Sequence, residues 1–146
     1  MQLYKVLFLS ITVLVSSSVQ AEPYDRAVEI SRCAGQIKML AATMAGQPAE
    51  AALNERANGW RVASAMELIL DGWSKSAAFT VVDSEMETTQ STLFAEVSAL
   101  IERGTHAEKQ RNFFKFSNDL MKRSEDCFIH NDRVDVLIKK MRESLK

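Results

Sequence analysis

The chain has 146 residues, with 18 Lys and Arg against 19 Asp and Glu and a formal charge of −1. So even a balance gives no electrostatic footprint for nucleic acid and no basic cluster for an anionic membrane surface. The length suits a single domain able to bury a core. With two cysteines and two histidines in all, it also lacks the close-set ligand pairs of structural zinc sites.

Residues 1–21, MQLYKVLFLSITVLVSSSVQA, have the layout of a secretory signal peptide. One early positive charge (Lys5) precedes an apolar run from Val6 to Val15, then Ser16–Ser18, then modest side chains at Val19-Gln20-Ala21. The run is shorter than the ~20 apolar residues that cross a bilayer, and no cysteine follows to carry a lipid. Cleavage is expected after Ala21. The mature chain, residues 22–146, should then be one periplasmic or secreted helical domain with no membrane association.

Past Ala21 the apolar residues recur at three and four rather than at two, which favours helices. Pro23 opens the first, whose stripe is Ala27, Ile30, Cys33, Ile37, Leu40 and Met44; Gly46 and Pro48 stop it. Pro48 suits the first turn of a second helix running to about Trp73. Leu53, Ala57 and Trp60 begin its stripe, and Val62, Ala63, Met66, Ile69 and Leu70 widen it. The stretch Ser74–Thr92 is rich in Ser and Thr, and AAFTVV breaks it without a clear period. It reads as a connection, with Asp83 or Ser84 capping a third helix that carries Met86, Leu93, Val97, Leu100 and Ile101 and ends at Gly104.

Thr105 stands three before Glu108, the spacing of a capping box. The fourth helix sets Phe113, Phe116, Leu120 and Cys127 on one stripe, with Phe114 and Met121 beside it. Asn131 or Asp132 caps a last helix bearing Val134, Leu137, Ile138, Met141 and Leu145. The fold class is all-α: an up-and-down bundle of four to five helices.

In SEDCFIHND, Cys127 lies three residues before His130, as a nucleophile might lie before its base. Nucleophilic catalysis needs an exposed thiolate within reach of that base, yet the stripe carrying Cys127 is the one that faces the core. A crosslink explains more. An exported chain meets an oxidising compartment, and in an up-down bundle the first and fourth helices are antiparallel neighbours. Early residues of one then lie beside late residues of the other, which predicts a disulfide between Cys33 and Cys127. His106 and His130 have no ligand spacing and take surface or boundary roles.

Gly35 in CAGQ makes room for a neighbouring helix. Trp60 and Trp73, thirteen positions apart, fall on different helical faces, one in the core and one as a lid at the helix end. Asp83, Glu85 and Glu87 lack the glycine and distal glutamate of a calcium loop and suit a helix start. The methionines suit packing. No CxxCH, GxSxG, phosphate loop or HExxH occurs. No catalytic residue, metal ligand or cofactor is expected.

The expected function is binding, with another protein of the cell envelope as partner. Phe79, Val81 and Val82 are the expected contacts if Ser74–Thr92 is a connection; if it extends the second helix, they pack inward. The alternative is a bundle binding a noncovalent cofactor or small ligand.

Overall fold

The structure, a computed structural model, describes residues 22–146; the expected signal peptide and its cleavage site lie outside them. Five α-helices follow one another: α1 (Pro23–Thr43), α2 (Ala49–Leu70), α3 (Lys75–Ile101), α4 (His106–Glu125) and α5 (Asn131–Ser144). A 3-10 turn, Asp126–His130, joins α4 to α5. Among the described residues there is no strand, and no helix is long and apolar enough to cross a membrane.

The predicted stops and starts are physical ones. Pro23 takes the first position of α1, where its missing N–H removes no helical bond. Gly46 turns the chain out of α1 with φ of 78°, a backbone state that costs glycine nothing. Thr105 and Glu108 form the full capping box at the start of α4.

Cross-helix bonds fix the directions. Arg26, Ser31 and Lys38 of α1 meet Glu67, Ser64 and Asn54 of α2 in that order, so the pair is antiparallel. Glu96 of α3 receives Arg123 of α4, and the Leu100 carbonyl accepts from Asn112, so these two are antiparallel as well. The first four helices are therefore an up-and-down bundle, and α5 packs across α2.

The core has two parts. Ala27, Ile30, Ile37, Trp60, Leu68, Val82 and Leu137 belong to the larger one. Met39, Leu40, Leu93, Val97, Phe116 and Leu120 form the second, between α1, α3 and α4. Cys33 and Cys127 are bonded, with Cα atoms 5.7 Å apart. The crosslink is as the sequence predicts, except that Cys127 lies on the 3-10 turn rather than on α4 itself.

The segment Ser74–Thr92 is not a connection. Ser74 caps α3, accepting the Ala77 N–H, and the helix runs unbroken from Lys75. Its buried residues, Ala78, Val82, Met86, Leu93 and Val97, make a stripe only one side chain wide. The hydroxyls do not oppose the helix, because Thr80, Thr89 and Thr92 each donate to the carbonyl four residues back. Asp83 and Glu85 are thus mid-helix. Asp83 takes a two-pronged contact from Arg61, holding that guanidinium further in its charged form through the hydrogen bond, and Glu85 pairs with Arg32.

The second helix also ends earlier than the sequence suggests, at Leu70; Trp73 lies beyond it, stacked on Tyr24. Gly35 does admit a neighbouring helix, and that helix is α3. A Cβ on Gly35 would stand 2.9 Å from both the Met86 carbonyl oxygen and the Thr89 Cβ.

Candidate functional site

The expected contact residues do not form a surface. Val82 has no exposed area and belongs to the larger core, against which Phe79 and Val81 pack half-buried. The open face of Phe79 lies under the Arg61 guanidinium, 4.8 Å from the ring centre. A connection would have left these side chains free; a helix turns them inward.

Two other arrangements emerge. At one end of the α1–α2 pair, Glu67 is buried within the apolar face of α2. Arg133 of α5 approaches its carboxylate side-on, Nε to Oε2 at 2.7 Å and Nη2 to Oε1 at 2.8 Å. Arg26 of α1 adds Nε to Oε1 at 2.8 Å. Two guanidiniums thus occupy both oxygens of one carboxylate, the geometry that best offsets the cost of burying it. Beside it the Ser31 and Ser64 hydroxyls bond to each other and to the Ala27 carbonyl. This cluster ties three helices together and leaves no free acceptor for a substrate.

At the other end of the same pair the molecule is open. Among the described residues no Cα atom of α2 lies within 8 Å of one of α4. The gap between them lies over α1 and forms a groove of about 510 Å³. Ile37, Leu40 and Met44 make its floor; Ala49, Ala52, Leu53, Arg56 and Trp60 line one wall. Met121, Ser124, Glu125, Cys127 and Phe128 line the other. The alanines keep the first wall low, and Met44 and Met121 supply adaptable side chains.

Among the described residues Arg56 and Glu125 are the only ionised side chains on the groove. The Arg56 guanidinium is fixed by three contacts: the Trp60 ring at 5.8 Å, the Phe128 ring at 5.4 Å, and the Asn131 side-chain oxygen at 3.1 Å. None of these carries a negative charge. A second cleft, about 680 Å³, lies between α2 and α5; it shares Ala52, Arg56 and Trp60 with the groove and is lined also by Glu55, Asn58, Asn131, Asp135 and Arg142. Its mixed charges leave it a hydrated face.

Cys33 and Cys127 are consumed in the disulfide, so neither is a nucleophile. His130 lies 3.6 Å from Glu29, and His106 is exposed at the first turn of α4; neither lines the groove. Among the described residues no cluster of His, Cys, Asp and Glu could hold a metal ion. No protein-family model matches the chain, nor does any curated protein or any solved structure.

The sequence reading missed both features. Glu67, an acid between Met66 and Leu68 on an apolar face, was the available signal for the first. Nothing in the residue pattern marks the second.

Proposed function

We propose that the protein is a small exported binding protein that holds a slender apolar ligand in the groove between α2 and α4. The observation that carries this is the groove itself. Its volume and largely apolar lining, with a few placed polar groups, match the usual make-up of small-molecule sites. Residues 1–21 and the Cys33–Cys127 bond both support an oxidising compartment, periplasmic or extracellular.

The test uses an uncharged apolar dye, N-phenyl-1-naphthylamine, whose emission rises in apolar surroundings. It should bind the oxidised protein one to one. Ala52→Trp, which fills the groove from an exposed position, should abolish that binding and leave the circular dichroism unchanged. A dye that does not bind, or binds the variant equally well, removes this reading.

A protein partner is the second reading, favoured by Phe128 and Ile129. These adjacent side chains on the 3-10 turn are 52% and 82% exposed, an apolar prominence beside the groove. Changing Ile129, which does not line the groove, to serine should then cost capture of one stoichiometric envelope protein while dye binding persists.

A further inference from the structure

We infer that the ligand is an anionic amphiphile, a single aliphatic chain with one carboxylate head, and that Arg56 holds the head. This rests on the groove being a ligand site and adds what the ligand carries.

The argument begins with which charges are satisfied inside the chain. Arg26, Arg32, Arg61, Arg123 and Arg133 each pair with a carboxylate. Arg56 does not. It is nonetheless held in place between two aromatic rings and the Asn131 oxygen, so its remaining N–H groups are oriented before any ligand arrives. A guanidinium fixed this way loses little freedom on binding, and its planar fork matches a carboxylate. A positioned cation at one end of an apolar groove is the complement of a molecule with an anionic end and an apolar body.

Size sets the chain. From Arg56 to Ala49 the α2 wall extends about 10 Å at roughly 1.5 Å per residue, so most of an extended medium-length alkyl chain such as dodecanoate lies along it and its end projects past Ala49. With the head at Arg56, the tail runs past Leu53 and Ala52 toward Met44 and Ala49. Each buried methylene adds to binding, as it does when lipid chains leave water.

Glu125 selects among heads. It stands on the opposite wall, with no ion-pair partner among the described residues. A carboxylate, with one negative charge, can sit against Arg56 at some distance from it. A doubly charged phosphate monoester doubles both the attraction to Arg56 and the repulsion from Glu125, and it costs far more to take out of water beside an apolar groove. The groove therefore favours the carboxylate.

The experiment displaces the bound dye with dodecanoate, dodecanol and dodecyl phosphate, each below its critical micelle concentration. Dodecanoate should displace at micromolar concentration, and dodecanol at least tenfold more weakly. Arg56→Gln should bring dodecanoate to the level of dodecanol and leave dodecanol unchanged. Glu125→Gln should tighten dodecanoate a few-fold.

Equal displacement by acid and alcohol, with no effect of Arg56→Gln, overturns the anionic head while leaving the groove an apolar site. Tighter displacement by dodecyl phosphate overturns the carboxylate. Failure of the dye itself to bind is a different result, and removes the ligand site altogether.

Discussion

The two ends of the α1–α2 pair are built from the same helices and treat charge in opposite ways. At the Glu67 end a carboxylate is fully buried, yet two arginines satisfy it. At the Arg56 end an arginine stays near the surface, has no carboxylate partner and borders an apolar gap. Burial alone would direct attention to Glu67. The comparison teaches that a closed set of partners holds helices together, whereas an oriented group with valence to spare beside empty space is equipped to meet something else.

The largest way to break the molecule is to remove the link lying between these ends. The Cys33–Cys127 bond spans 94 residues of sequence, and opening so long a loop should cost about 4–5 kcal/mol in the chain-entropy account. Changing both cysteines to serine should lower stability in urea by that amount. Hydrogen exchange should quicken first in the 3-10 turn, the far wall of the groove, before it quickens around Glu67. Equal loss at both ends would mean the bond serves the fold evenly.

The contrast sharpens with two single changes. Glu67→Ala strands two guanidiniums, and breaking such a pair costs about 3–5 kcal/mol. The lower figure applies because Arg26 and Arg133 both keep some contact with water. Arg56→Gln should stay within about 0.5 kcal/mol of the parent, as surface changes do. Urea melts of the two variants measure this directly; a similar loss in both would erase the distinction between a structural and a binding charge.

The smallest expected effect is on pH. Glu108 accepts the Thr105 backbone N–H and, less strongly, its hydroxyl, and both hold its carboxyl below the usual range. Because its folded value is depressed, its stabilisation is complete above the ordinary carboxylate value, near 4.3. It is lost as pH falls through the lower folded value. An NMR titration should show the Thr105 amide shifting at lower pH than an ordinary glutamate would produce.

Much of the fold is legible in the sequence. The stripes of α1, α4 and α5, the Thr105 capping box and the cysteine pair all reflect local chemistry. The first half of α3 is harder to read. One apolar residue per turn makes a weak period, and the helix-opposing tendency of serine and threonine hides that their hydroxyls bond to their own helix. Glu67 is legible only as a charge in the wrong place, since its arginines come from distant segments. The groove is not legible at all. Met44, Leu53 and Met121 read as core, because periodicity reports which face is apolar and not whether another helix covers it.

The Glu67 cluster has a consequence for the order in which the chain acquires its shape. Arg26 lies near the start of the described chain, Glu67 in its middle and Arg133 close to its last residue. Cys33 likewise awaits Cys127. A chain made from its N-terminus, folding as its domain becomes complete, can form α1 and α2 early but cannot close them until Arg133, 66 residues after Glu67, and Cys127, 94 after Cys33, have emerged. Until then α1 and α2 are free to separate again, which would suit the export proposed above. Native closure then comes as a single late event, after the final helix has arrived.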